Sequence, residues 1–462
     1  MIVLKRKEVT IIQLENKEMR KKHVRKNMSA WMSPHTNRVH VKKKTWRTPA
    51  TFQKSLKVTL VMGQIFSLLP VVGICSDDPM NVRFVYTSWK CFYSTFSILG
   101  QIYMALMCVY NFSLFLTSLN NVAPLIFYTT SCITMIMFYD AARAWPTLVQ
   151  HIAHTELIDP NYDKKLTIKC NITCAVVLTL ALLEHTLSLL SKFAAASVCY
   201  PDESVYEGFI KHSFPSIFQV LPYSTALGVL TQFLHFQSTF IWNFSDLFVI
   251  CMSYYLTSRL EHVNERLLEA QGKYLPETFW RTTREDYCRA TKLVRKVDDV
   301  ISGIVFMSFA NNLIFVCLQL FNTLEDGIKG KGECSSRTKG TPLLGGYEAA
   351  IYFVFSLIFL ISRSVAVSLI AAQVNTASEV PVPVLYDVPS PAYCVEVQRF
   401  IDQVNGDNVA LSGLKFFSVT RSLLLSVAGT IVTYELVMFQ FNSPSTTSTT
   451  STVQPNTTTI AP

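Results

Sequence analysis

Long apolar blocks are the feature that most constrains this chain. A hydrocarbon core about 30 Å thick is crossed by roughly 20 apolar residues of helix, and a helix satisfies its own backbone hydrogen bonds without water. Only 16% of the 462 residues are charged, so an all-α integral membrane protein is predicted. The apolar blocks lie at about 56–75, 91–116, 122–139, 167–193, 216–257, 299–322, 347–373 and 418–441.

Basic residues orient these blocks in the membrane. Residues 1–50 hold 14 Lys and Arg against three Glu, and the connection 258–298 holds nine more. Cytoplasmic loops are enriched in Lys and Arg, and placing both segments inside gives 16 basic residues in inside connections against five outside. Block 56–75 then cannot cross, and Pro70 and Gly73 suit a re-entrant or surface helix. Seven transmembrane helices remain, with the N-terminus inside and the C-terminus outside.

The two ends of the chain differ in composition from the apolar middle, 51–442. The tail 1–50 is basic and poor in apolar residues, which predicts a disordered cytoplasmic segment drawn to anionic lipid rather than to nucleic acid. Residues 443–462 contain 12 Ser and Thr and no charge, as in extracellular glycosylated stalks. The sequon at Asn456 is the predicted glycosylation site, and Cys199 and Cys334 in the outside loops are predicted to form a disulfide.

The final block carries the most specific pattern, SVAGTIVTYELVMFQFN. Thr433 and Tyr434, five residues, then Gln440 and Phe441 match the TYhhhhhQF signature of insect gustatory receptors, in which h is hydrophobic; Glu435 departs from it. Similar stretches of the sugar branch are LLEHTLS at 182–188, WNFSDLF at 242–248, SFANNLIFVCLQLFN at 308–322 and ISRSVAVSL at 361–369. From about residue 50 to 442 the chain resembles the insect gustatory receptor family, in its sugar-sensing branch.

The resemblance implies the insect chemoreceptor ion-channel fold and a ligand-gated non-selective cation channel of the plasma membrane of gustatory neurons. It implies a homotetramer, or a heteromer with related receptors, in which helix 418–441 lines a central pore and Val437, Gln440 and Phe441 form the gate. A ring of Phe can close a pore by dewetting, and a ring of amides can coordinate a cation. A Gln that bonds between helices is the alternative.

Segments 258–298 and 374–417 are implied to anchor the subunits to one another on the cytoplasmic side. Within the second segment, Val397, Phe400, Ile401 and Val404 fall on one face of a predicted amphipathic helix. A helix lying on the membrane surface is the alternative.

Polar and aromatic residues inside the outer halves of the spans are the candidate sugar ligands, because a pyranose offers apolar faces for stacking and hydroxyls for hydrogen bonds. Ionisable groups in a span usually face a cavity or a partner. For Glu184 and His185, an interhelical contact to Arg363 or Lys192 is the alternative, and the other candidates can equally join helices to one another. The candidates are Glu184, His185, Trp242, Asn243, Asp246, Asn311, Asn312, Gln319 and Tyr352, with Tyr110 and Tyr128.

Other classes of protein fit the sequence less well. A secondary transporter for a small polar solute is the alternative function, but it predicts inverted repeats with glycine-broken helices, which are not evident. A G-protein-coupled receptor places its N-terminus outside, contrary to the distribution of basic residues. The chain has no catalytic or phosphate-binding motif and no metal-ligand spacing, so we expect no enzyme activity, no cofactor and no metal.

Overall fold

The computed structural model describes residues 51–76, 78–114, 122–159, 163, 165–199, 204–326 and 347–442, and these are almost entirely helical. Two antiparallel hairpins pair β1 (Val71–Val72) with β2 (Arg83–Phe84) and β3 (Ser412–Gly413) with β4 (Phe417–Ser418), and 3-10 helices lie at Pro79–Asn81 and Ser390–Ala392. The helices are α1 (Thr51–Ile65), α2 (Trp89–Leu114), α3 (Val122–Ile158), α4 (Leu166–Cys199), α5 (Val205–Ser213), α6 (Pro215–Phe218), α7 (Thr225–Glu269), α8 (Glu277–Asp326), α9 (Glu348–Glu379), α10 (Pro381–Tyr386), α11 (Val395–Gly406) and α12 (Arg421–Asn442).

Five of the described helices, namely α2, α3, α4, α8 and α9, are long and apolar enough to cross a membrane by length and composition. All five coincide with blocks predicted to cross. Helices α7 and α12 are the other two predicted spans and do not meet that measure over the residues searched. The seven-span arrangement and the sides of the termini therefore stay predictions.

Helix α1 fits the prediction that the first apolar block does not cross straight through. It has 15 residues, which rise about 22 Å, less than the roughly 30 Å hydrocarbon core. Phe52, Leu56 and Leu60 are buried, and α1 packs against α4 and α7. The chain then turns back through β1, where the Gln64 amide donates to the carbonyl oxygen of Val71 at 2.6 Å.

Helix α7 is the centre of the described fold. It is 45 residues long, and every residue from 243 to 253 is buried. The predicted block 216–257 is corrected at both ends. It is interrupted between Phe218 and Thr225, and the second helix runs on to Glu269.

The predicted connection 258–298 is mostly helix, which corrects its interpretation as a loop. Helix α7 occupies its first part and α8 begins at Glu277, so only residues 270–276 join them. The cause is visible in the pattern: Leu260, Val263 and Leu267 repeat at helical spacing and are buried, while several of the basic residues pair with acids. Asp286, for example, accepts from the guanidinium groups of Arg266 and Arg289.

Helix α11 confirms the predicted amphipathic helix. Val397, Phe400, Ile401 and Val404 are buried against α8 and α10, and the Phe400 ring lies 5.3 Å from that of Tyr287 on α8. The apolar face is thus covered by the same chain, which disfavours a helix lying with that face in the membrane. Whether α11 also contacts other subunits stays a prediction.

Candidate ligand cavity and candidate pore helix

Helices α2 to α9 enclose a cavity of about 600 Å³, called here the main cavity. Small-molecule sites typically measure roughly 300–1,000 Å³. Of the residues predicted to bind ligand, Glu184, His185, Trp242, Gln319, Tyr352 and Tyr128 line the main cavity. The sequence thus brings together residues from α3, α4, α7, α8 and α9.

One wall of the main cavity is aromatic. The Trp242 ring lies 4.7 Å from Phe315 and 6.2 Å from Phe127, and these last two are 6.2 Å apart. His235 adds a polar edge, since its Nδ1 is 2.9 Å from the Tyr128 hydroxyl. Such ring faces offer the apolar surface on which the C–H face of a sugar can stack.

The facing wall is polar. Gln319 donates from Nε2 to the Ser356 hydroxyl at 3.0 Å, and that hydroxyl donates to Glu184 Oε1 at 2.6 Å. Two further atoms of the lining, Gln319 Oε1 and Trp242 Nε1, are buried and have no hydrogen-bond partner within the described residues. Buried polar groups are normally hydrogen-bonded, so this unpaired acceptor and donor are unusual features of the residues that line the cavity.

Five predicted ligand residues do not line the main cavity. Asn243, Asp246 and Asn312 surround Arg363 instead, and with Ser308 they form what we call the Arg363 network. Asn311 is buried at 3% exposure, and its Oδ1 has no partner in the described part of the chain. Tyr110 on α2 is half-exposed.

The Arg363 network joins α7, α8 and α9 beside the main cavity. Arg363 Nε lies 2.8 Å from Asp246 Oδ2, Nη1 donates to Asn243 Oδ1, and Nη2 donates to Asn312 Oδ1 at 3.4 Å. Asn312 and Ser308 both donate to the Asp246 carboxylate. Arg363, considered from the sequence as a contact of Glu184, is thus paired with Asp246, and its guanidinium stacks 4.7 Å from the Trp242 ring.

Several lining residues were not predicted. Ser188 and Lys192 follow Glu184 at intervals of four residues on α4, and all three line the main cavity. Side chains spaced by four share one face of a helix, so this polar stripe in an apolar span was a usable signal. Phe127 and Phe315 carry no such signal, because Phe is common in every apolar block.

Helix α12 holds the predicted gate. It packs against α8 and α9, and its other side is uncovered in the single chain: Val432, Leu436 and Val437 are exposed, as is Gln440. The side chain of Phe441 lies outside the described residues. In the motif, Thr433 donates to the carbonyl of Gly429 at 2.9 Å and Tyr434 is partly exposed.

Three further predictions have the following status. Across the described residues no group of three or more His, Cys, Asp or Glu is placed to hold a metal ion. Cys199 is disulfide-bonded, whereas Cys334 lies outside the described residues. Asn456 and the two tails also lie outside them.

The fold and the main cavity define a class: a multi-pass helical membrane protein whose helices line a cavity of the size that small-molecule sites have. The insect olfactory receptor OR5 from Machilis hrabei, solved in complex with eugenol, shares this fold. Its structure matches with a TM-score of 0.54 at 15% sequence identity, over 85% of this chain and 99% of that one.

The sequence comparisons are more specific. A profile described as Trehalose receptor matches residues 32–450. The Drosophila melanogaster gustatory receptor for sugar taste 64f is 34% identical over 410 residues, which cover 87% of this chain and 83% of that protein. The Drosophila melanogaster gustatory receptor 5a for trehalose is 31% identical over 405 residues, 87% of either chain. The chain belongs to the trehalose receptor family, which confirms its resemblance to the sugar branch of the gustatory receptors.

Proposed function

We propose that this chain is a gustatory receptor for sugars and acts as a ligand-gated non-selective cation channel in the plasma membrane of sensory neurons. Sugar binds in the main cavity. Helix α12 from several subunits, in a homotetramer or a heteromer with related receptors, lines the central pore. Cations are the permeant ions and the lipid bilayer is the solvent for the outer faces.

One observation carries the link between sugar and pore: the helices that line the main cavity on one side carry α12 on the other. Gln319 on α8 and Ser356 on α9 face the cavity, and α12 packs on these two helices. A ligand that binds differently to two arrangements of α8 and α9 shifts their populations. The same shift then moves α12 and the pore.

The chemistry of the cavity supports a sugar. The aromatic wall around Trp242 provides apolar area, and Glu184, Gln319 and Ser356 on the polar wall provide donors and acceptors for hydroxyls. Sites built to hydrogen-bond hydroxyls discriminate strongly against ligands that lack them, because the polar groups are then left unpaired.

The test is calcium entry into cells that express the receptor in place of their own, with a panel of sugars. We expect Trp242→Ala and Glu184→Gln each to lower sugar potency by about tenfold, because the first removes a ring face for stacking and the second weakens a buried hydrogen bond, whose loss costs about 1–3 kcal/mol. Trp89→Ala is the matched control, since Trp89 is exposed on α2 at 75%. Equal responses of Trp242→Ala and Trp89→Ala, at equal surface levels, would place the sugar elsewhere.

Electrical recording separates the proposal from the transporter alternative. A channel passes many charges for each ligand bound, whereas a carrier moves charge in fixed proportion to solute. Sugar-evoked flux with fixed stoichiometry, and no unitary currents in excised patches, would contradict a channel.

A further inference from the structure

The stripe on α4 gives the main cavity two charged ends. Glu184 and Lys192 both line it, and they are eight residues apart, about 12 Å along a helix. Ser188 lies between them on the same face. A ligand that fills the cavity along α4 therefore meets a carboxylate near one end and an ammonium near the other.

The charge at the Lys192 end has no partner carboxylate within the described residues. Glu184 already accepts from Ser356 at 2.6 Å, and no carboxylate lies within ion-pair distance of Lys192 in the part of the chain that the structure describes. The ionisable neighbours of Lys192 in the cavity lining are instead His185 and His235, both within its electrostatic range. A charge enclosed among apolar helices is costly unless it is paired, so this end of the cavity favours an anion.

We infer that Lys192, with His185 and His235 in the same cavity lining, forms an anion subsite, and that the receptor accepts sugars carrying a carboxylate, such as hexuronic acids, as well as neutral sugars. The sugar ring stacks on the wall formed by Trp242 and Phe315, and its carboxylate accepts a charge-assisted hydrogen bond from Lys192. Such bonds are roughly twice as strong as neutral ones. The inference rests on the proposed function in taking the main cavity as the sugar site.

The test compares each uronic acid with its parent sugar: galacturonate with galactose, and glucuronate with glucose. The measured quantity is the half-effective concentration of the uronic acid divided by that of its parent sugar, each applied as activator or competitor to cells expressing the receptor. We expect Lys192→Gln to raise this ratio by about tenfold, because the uronate loses its charged partner. Lys192→Arg should leave the ratio unchanged, because the positive charge stays. Lys211→Gln is the control, since Lys211 on α5 pairs with Glu207 at 2.8 Å and does not line the cavity. An unchanged ratio in Lys192→Gln would overturn the inference.

Thermal melting of the purified protein separates this inference from the proposed function. Lys192-dependent stabilisation by galacturonate, in a protein that passes no sugar-evoked current, would refute the channel and uphold the subsite. Sugar-evoked current without Lys192-dependent stabilisation would uphold the channel and refute the subsite. A free anion is the other source of this chemistry: if sodium chloride, compared with sodium methanesulfonate, stabilises in a Lys192-dependent manner and galacturonate adds nothing, the assignment to sugar acids is wrong.

Discussion

Asp246→Asn tests whether the Arg363 network holds the fold together or binds sugar. Asp246 is fully buried, Arg363 is 4% exposed, and their charged groups are 2.8 Å apart. The substitution keeps the size of the side chain and removes its charge. It leaves the guanidinium of Arg363 enclosed between α7, α8 and α9 without a counter-ion.

The expected cost follows from that burial. Breaking a buried ion pair by removing one partner costs about 3–5 kcal/mol, out of a total stability of about 5–15 kcal/mol. Since about 1.4 kcal/mol corresponds to a factor of ten, the ratio of folded to unfolded protein should fall roughly a hundredfold or more. Asp246→Asn combined with Arg363→Gln removes both charges and should recover about 1–3 kcal/mol relative to the sum of the single changes.

Surface labelling and thermal melting of the detergent-solubilised protein measure this loss. Asp140→Asn is a matched control, because Asp140 forms an exposed pair with Arg143 on α3 at 3.7 Å, and exposed pairs contribute about 0–1 kcal/mol. Two results would refute the reasoning: Asp246→Asn reaching the surface as well as Asp140→Asn, or the double variant losing as much stability as the two single changes added together. A loss of sugar response at a normal surface level would instead make Asp246 a ligand residue.

Further predictions concern α12 and α11. Phe441→Ala should give ligand-independent current, because a gate that closes by dewetting opens when its apolar ring is removed. Gln440→Glu should favour divalent over monovalent cations, as measured by bi-ionic reversal potentials. No ligand-independent current in the first variant and unchanged reversal potentials in the second would show that α12 does not line the ion path. Glu435→Leu should raise the melting temperature, since both carboxylate oxygens are buried without a partner in the described residues; a lower one would mean that assembly supplies a partner. The hydrogen bond from the Arg284 guanidinium on α8 lowers the pKa of Glu396. The wild-type protein should therefore be more stable than Glu396→Gln at pH 7 and lose that advantage as the pH falls through the lowered pKa. A difference in melting temperature that does not depend on pH would contradict this.

The helices that cross the membrane could be predicted because their signal is local. A block such as 167–193 is read from hydropathy alone, and α4 contains it. The helices within 258–298 need a second signal, since this segment is rich in charge; the spacing of Leu260, Val263 and Leu267 provides it, whereas charge density alone predicts a loop. Helix α11 is predictable because Val397, Phe400, Ile401 and Val404 follow the same kind of helical spacing.

The division of polar residues between cavity and network could not be predicted in this way. Trp242 and Asp246 are one turn apart on α7 and share a face, yet one lines the main cavity and the other binds Arg363. Helical periodicity assigns a residue to a side only when one side of the helix is exposed. Residues 243–253 are buried all round, so their partners depend on which helices pack nearby, and that is a property of the tertiary fold.

The position of the Arg363 network bears on how sugar binding reaches the pore. The network ties α9, through Arg363, to α7 and α8 beside the cavity, and the Arg363 guanidinium also stacks on Trp242. Leaving one partner of a buried ion pair unpaired is strongly destabilising, so separating α9 from α7 at this level costs more than shifting helices that share only apolar contacts. Gln319 on α8 lies two turns beyond Asn312, and Ser356 on α9 lies two turns before Arg363, so ligand contacts there act at a distance from the fixed point. We propose that such contacts tilt α8 and α9 together and that α12, which packs on both helices, follows the tilt.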